Sequence, residues 1–445
     1  MRALVGSSIA LACASVLALT LVLPDGAPAG AGSDNAGRGG AQAAELPGST
    51  RSVPLAPLGG RNADGPRRAL AAAAPATAGA GAVLGVNSRD VAPFSLVGVV
   101  WDDPRAALRG QVQVRTRAVG GRVWSGWQDL AAGDADHGAD LASAEANTGR
   151  THGSTAPLWV GPSDGVEARV LPRAARTGAT GAVFGAAPGV PAALPRGLRL
   201  DLVDPGAEPR RGTLRAPAAG LEIPELDEAR TRAEAEAEYG AARPHIGPRP
   251  RIVTRKGWGA DEKLKEKGNV YTKTIKVAFV HHSASGNGYS CSQSGSVLRS
   301  IYRYHVKSSG WRDFGYNFAV DKCGNVYEGR AGGVAKPVLG AHTLGFNTNS
   351  MGIAVLGTYT HSNPPAAAVN AVAKLAAWKL GLHGANPKAT THLTSGGSNL
   401  YKKGRDVRLN VISGHRDGFA TECPGGHLYR KLGTARGTAA RLQGR

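Results

Sequence analysis

The chain has 445 residues, 42% of them hydrophobic, which is enough for two or three domains with real cores and too long to depend on cross-links for folding. Its 63 glycines and 27 prolines, together with long Ala-rich tracts, assign a sizeable share to linker rather than packed core. The net charge of +20 is uneven: residues 1–250 carry 25 Arg and no Lys against 24 acidic residues, whereas residues 251–445 carry 28 Lys plus Arg against 9. Such a basic half attracts polyanions, and charge alone does not choose among nucleic acid, anionic lipid and anionic wall polymers.

In chain order, Arg2 leads into ALVGSSIALACASVLALTLVLP, and PDGAPAG offers an A-x-A site ending at Ala29. Residues 1–29 therefore read as a cleaved secretory signal. The apolar run is also near spanning length, which leaves a retained membrane anchor as the alternative. Cys13, with Ala10 three residues before it, makes a poor lipoprotein site. Export would make the protein secreted or wall-associated and set nucleic acid aside, since DNA binding would rest on charge alone. It would also leave Cys291, Cys323 and Cys423 in an oxidising compartment, an odd number that suggests one disulfide and one cysteine with another task.

Residues 30–90, rich in Ala, Gly, Pro, Ser and Arg, read as a disordered segment. From 91 to 204 the runs FSLVGVVW, QVQVRTRAV, WSGWQDL, APLWVG, VEARVL and LRLDLV alternate and are separated by turn residues, the pattern of an all-β, sandwich-like domain. Trp101, Trp124, Trp127 and Trp159 are four of the seven tryptophans. They form either a sugar-stacking face or the core of a small sandwich, and alternate strand positions favour the core. Residues 205–247 form a charged linker in which LEIPELDEARTRAEAEAEYGAA is a helix, ended by RPHIGPRPR.

The second module, 248–445, predicts a strand at TIKVAFVHH, a helix across QSGSVLRSIYRYHVKSS, strands at YNFAVDK, VYEG and MGIAVLG, and a helix in PPAAAVNAVAKLAAWKLGLHG, with Pro at its start and Gly past its end. A loop, the strand VRLNVISG and a helix from about Gly425 follow. Strands alternating with helices predict an α/β domain on one central sheet, with sites collecting at strand ends. Three such places carry metal ligands: His281 and His282 after VAFV, His415 in ISGHRD, and Cys423 in TECPGG, eight residues after His415. Imidazole and thiolate suit zinc, and two His with one Cys leave a fourth position for water. Each alone has an ordinary alternative, a structural histidine or half of a disulfide.

The series VAFVHHSAS, YRYHVKSSGWRDFGYNFAVDKCGNVYEGR, GAHTLGFNTNSMGIAVLG and ISGHRDGFATECPG resembles the peptidoglycan recognition protein family and its related zinc-dependent N-acetylmuramoyl-L-alanine amidases, in the family's order over about residues 250–440. The resemblance implies a central mixed β-sheet flanked by helices, with zinc held by His281, His415 and Cys423 and with Tyr316, of GYN, assisting through its hydroxyl. Thr421 stands where phage members carry a catalytic lysine and recognition proteins a threonine. His282, His342 and Asn347 are the substrate-lining candidates, a structural role being equally open for His342. Cys291 and Cys323 become the natural disulfide, although Cys323 is not the usual animal partner position, and both being free thiols is the alternative.

The implied activity is hydrolysis of the amide between N-acetylmuramic acid and L-alanine by a monomer acting on peptidoglycan, with anionic wall polymers as further partners of the basic half. Binding-only members lack the Cys ligand, so the presence of Cys423 favours the enzyme over the alternative, a non-catalytic peptidoglycan-binding receptor or adaptor.

Overall fold

The computed structural model describes residues 48–58, 82–131, 137–173, 193–208, 220–240 and 244–445. The expected signal, residues 1–29, and most of the expected disordered segment lie outside them. None of the described helices is long and apolar enough to cross a membrane.

The first domain is all-β. Strands β1 (Ser49–Pro54), β2 (Ala56–Pro57), β3 (Leu84–Trp101), β4 (Gly110–Ala118), β5 (Gln128–Leu130), β6 (Gly153–Ser154), β7 (Leu158–Pro172) and β8 (Arg199–Asp204) join in the order β1-β8-β3-β7-β4-β5, with β2 and β6 attached to β3. The described strands form one hydrogen-bonded network. Register shifts along β3, between Val86 and Arg89 and again around Phe94, bend it as bulges do. Alternation decides the faces: in β4, Val112 and Val114 are fully buried while the intervening Gln111 and Gln113 bond Asp129. The expectation of disorder over 30–90 does not hold for its described parts, because β1 pairs with β8 along its whole length and β3 starts at Leu84. Alternating STRSVP and LGVN were too short and too polar to stand out from the Ala/Gly-rich text around them.

The second domain carries β9 (Glu222–Ile223), β10 (Ile252–Val253), β11 (Val277–His282), β12 (Phe318–Val320), β13 (Val326–Glu328) and β14 (Ser350–Val355), a small pair β15 (Thr390–Thr394) and β16 (Asp406–Asn410), then β17 (Ile412–Gly414). The central sheet runs β17-β11-β14-β12-β13-β10-β9 and is mixed: β17, β11, β14 and β12 are parallel, while β12 and β13 are antiparallel. Its helices are α1 (Glu228–Tyr239), α2 (Arg255–Trp258), α3 (Ser294–Arg303), α4 (Ala366–Leu382) and α5 (Gly426–Leu442). One face of the sheet packs Ala278, Val280, Ile353 and Val355 against α4 and α5 through Val372, Leu375, Leu428 and Leu432. The expected single strand VRLNVISG is two strands in two sheets, parted at Val411, because Val407 and Leu409 turn toward Phe279 and Phe346 while Ile412 joins the central core. Of the helix expected over 221–242, Glu228–Tyr239 is helical, whereas its first residues form β9, which adds an edge to the central sheet.

The domains share a core. Leu96, Val100, Trp159 and Val203 of the first domain cluster with Val297, Leu298, Ile301 and Tyr304 of the second. Of the four tryptophans, Trp101 and Trp159 are buried, whereas Trp124 and Trp127 lie beneath Arg115, Arg117 and Arg169, the closest guanidinium 4.1 Å from its ring centre.

Candidate functional site

Adjacent parallel strands set up the site. Val280 of β11 stands beside Gly414 of β17, so one step further along each strand His281 and His415 meet, their ring centres 4.5 Å apart. Beyond His415 the chain makes a 3₁₀ turn in which Gly414 N–H donates to the Asp417 carboxylate at 2.9 Å, itself held by the Tyr429 hydroxyl at 2.6 Å. The loop then returns, and Arg416 N–H donates to the Cys423 carbonyl at 3.0 Å. That bond brings the Cys423 thiol to 3.7 Å from His281 Nδ1.

A fourth donor comes from the other domain. His137, from the loop between β5 and β6, puts its ring 4.5 Å from His415 and 5.3 Å from His281. Ligand atoms of His137, His281, His415 and Cys423 all lie within 4.8 Å of one another. Sequence reasoning missed His137, since a single histidine in the acidic run DADHGAD carries no spacing signal.

This donor set suits zinc. Imidazole nitrogen and thiolate sulfur are both zinc ligands, with bonds of about 2.0 to 2.3 Å that place neighbouring donors roughly 3.3 to 3.8 Å apart; the Cys423 to His281 separation of 3.7 Å falls in that range, within a set that spans up to 4.8 Å. His281 presents Nδ1 to the thiol, while its Nε2 faces the Thr343 hydroxyl at 3.4 Å, the outer contact that fixes a ligating imidazole. Full burial, reinforced by the neighbouring His415 and His137, pushes His281 well below its ordinary pKa, so it stays neutral and able to ligate.

Around the donors, Tyr316 is buried with its ring 5.2 Å from that of His281. His342 is fully buried and wedged between Gly340 and Gly352, where an added Cβ would come within 2.4 Å of its ring. Its Nδ1 meets Thr343 Oγ1 at 3.0 Å, so Thr343 bridges His342 to His281. Asn347 accepts the His342 and Thr343 N–H groups at 2.7 and 3.1 Å and donates to the Gly138 carbonyl and the Asp140 carboxylate. Thr421 Oγ1 caps the Cys423 N–H at 3.2 Å. His282 is not drawn into the cluster: strand alternation turns it away from His281, and its Nδ1 accepts from Tyr359 N–H at 3.2 Å. Cys291 and Cys323 form a disulfide.

The second domain is a mixed α/β fold, and a family model described as N-acetylmuramoyl-L-alanine amidase matches residues 271–426. The chain belongs to the peptidoglycan-recognition protein family. It is 30% identical over 186 residues to peptidoglycan-recognition protein SC2 of Drosophila simulans, covering 41% of this chain and 85% of that one. It is 29% identical over 187 residues to the N-acetylmuramoyl-L-alanine amidase of Homo sapiens, covering 42% of this chain and 28% of that one. A crystal structure of peptidoglycan recognition protein-LE with tracheal cytotoxin, a monomeric diaminopimelic acid-type peptidoglycan, aligns at 27% identity and a TM-score of 0.33 over 41% of this chain and 92% of that one. A second model, described as Rv3811 N-terminal galactose-binding domain-like, matches residues 47–192.

Proposed function

We propose that the protein is an exported, zinc-dependent amidase that cleaves the bond between N-acetylmuramic acid and L-alanine of peptidoglycan stem peptides, with residues 1–29 as its signal and 248–445 as the catalytic domain. The observation that carries this reading is the convergence of His281, His415 and Cys423 beside Tyr316 in a domain matched by the amidase family model. Those three residues would hold zinc, which when bound polarises the scissile carbonyl and acidifies a water.

The chain's own groups supply the rest. Tyr316 presents its hydroxyl where oxyanion charge develops on the amide oxygen. Thr343 holds the outer nitrogen of His281, and His342 holds Thr343 in turn, so these two position a ligand rather than touch substrate. Thr421 orders the approach to Cys423 through its backbone bond. The cleft lined by His137, Gly138, Trp311 and Leu344 would receive the stem peptide, and the +19 balance of the second half draws the protein to an anionic wall.

Mass spectrometry of peptidoglycan digested by the zinc-loaded protein and by its His137→Ala form tests the reading. Stem peptides with a free L-alanine amine are expected from the His137→Ala form, and a chelator should stop their release. The four-donor cluster also favours a second reading, a peptidoglycan-binding protein whose closed metal site serves only structure. Fully metallated protein that binds muropeptide but releases no peptide in either form would establish that reading instead.

A further inference from the structure

The second domain presents three donors from its own strands and loop. The fourth, His137, belongs to the first domain, and the chain around it is fastened across the same face of the amidase domain. Gly138 N–H donates to the Ala341 carbonyl at 3.3 Å. The Asn347 amide donates to the Gly138 carbonyl at 2.9 Å and to Asp140 Oδ1 at 2.7 Å, where Gly345 N–H also arrives at 2.7 Å. Glu145 takes both terminal nitrogens of Arg330, at 2.8 and 2.9 Å, and the Arg312 N–H at 3.2 Å, with both partners of the ion pair under one tenth exposed. Further on, Arg150 pairs with Glu266 and His152 N–H donates to the Ser309 carbonyl at 3.1 Å. Gly310 accepts this approach only because it has no side chain, since a Cβ there would sit 1.9 Å from the Arg150 carbonyl oxygen.

A chance contact between domains would not saturate an amide, fill an arginine fork and deliver an imidazole to a His-His-Cys cluster at once. The Asp140 and Glu145 carboxylates and the backbone carbonyl of Gly138 are also the groups an anionic peptide would offer to the same partners. We infer that His137 is a fourth ligand of the metal held by His281, His415 and Cys423, and that residues 137–145 occupy the groove as an internal stand-in for a stem peptide, so that the intact chain is a latent form. The inference rests on the amidase reading for what is held latent, but the ligation itself does not. Four donors would close the site to water, and the seated segment already takes the Asn347 amide and the Arg330 guanidinium. Activation then consists of withdrawing this segment, by cleavage in the loop or by a ligand that outcompetes it. His137 and Gly138 also line an open cleft of about 430 Å³ at the domain junction, which gives a competitor room to enter.

Cobalt(II) replaces zinc as an optical reporter of coordination. Loaded into the full chain, it should give a four-coordinate spectrum with thiolate character that azide does not alter. In His137→Ala the spectrum should become azide-sensitive, and removal by a competing chelator should become roughly ten- to hundredfold easier, as expected when one supporting ligand is lost. The double variant Asp140→Ala with Glu145→Ala leaves His137 intact but unclamps the segment, and it should make the native azide-insensitive spectrum labile. Identical spectra, azide response and metal retention in the native chain and His137→Ala would overturn the inference. An opened, azide-binding His137→Ala protein that released no stem peptide would leave the ligation standing and instead remove the amidase reading.

Discussion

Single residues separate metal retention from turnover. Made in the His137→Ala background, Cys423→Ser should lower bound metal and activity together, since the thiolate is the softest of the donors. In the same His137→Ala background, Tyr316→Phe should keep its metal, measured by elemental analysis, while peptide release falls about a hundredfold, the usual loss of one oxyanion donor. Lys379 makes a different test. Its ammonium is buried on α4 and donates to the Val334 and Lys336 carbonyls, both at 2.8 Å, and burial pushes its pKa down from 10.5 to about 7. The folded protein then binds fewer protons than the unfolded chain between those two values, so this residue's contribution to stability is lowest below pH 7 and rises with pH toward 10.5. Urea melts of native protein and Lys379→Met should therefore differ in slope with pH across that window. Parallel curves would mean the lysine keeps its charge when folded.

At the scale of elements, the disulfide ties the turn before α3 to the turn after β12, across 32 residues of chain. Replacing both cysteines by alanine should cost about 3 kcal/mol by loss of the constraint on the unfolded chain, read from denaturant midpoints. The loop carrying His137 depends on a buried carboxylate. Burial alone would raise the Glu145 pKa, but the charge of Arg330 and its hydrogen bonds outweigh that and hold it below 4.5. Its contribution is thus present above that pH and is lost as the pH falls through the lowered value. Glu145→Gln strands the Arg330 charge and should destabilise by about 3 kcal/mol or more near neutrality. Elements of the second domain were readable because long apolar runs such as VAFV and the α4 segment carry strong periodicity. The short strands β1 and β15 were not, since five or six half-exposed residues resemble loop.

For the whole molecule, the shared cluster around Trp159 and Tyr304 makes the two domains one cooperative unit. Tyr304 is fully buried, and its hydroxyl donates to the Thr155 carbonyl of the first domain at 3.0 Å. Tyr304→Phe should cost about 1 kcal/mol and leave a single calorimetric transition. Two separate transitions in the native protein would show that the interface is weaker than its packing implies.

Order along the chain and local pattern determined much of this protein: the α/β second domain, the strand ends that carry His281 and His415, and the Cys423 loop were all legible because neighbouring residues and short-period alternation encode them. Which nitrogen faces the donors, why His282 turns away and how Thr343 bridges His342 to His281 were decided only by strand register and side-chain packing. His137 lies 144 residues from His281 in the chain, and its approach depends on how one domain's loop packs on the other's sheet. No local signal records such a contact, so the fourth donor belongs to the tertiary structure alone.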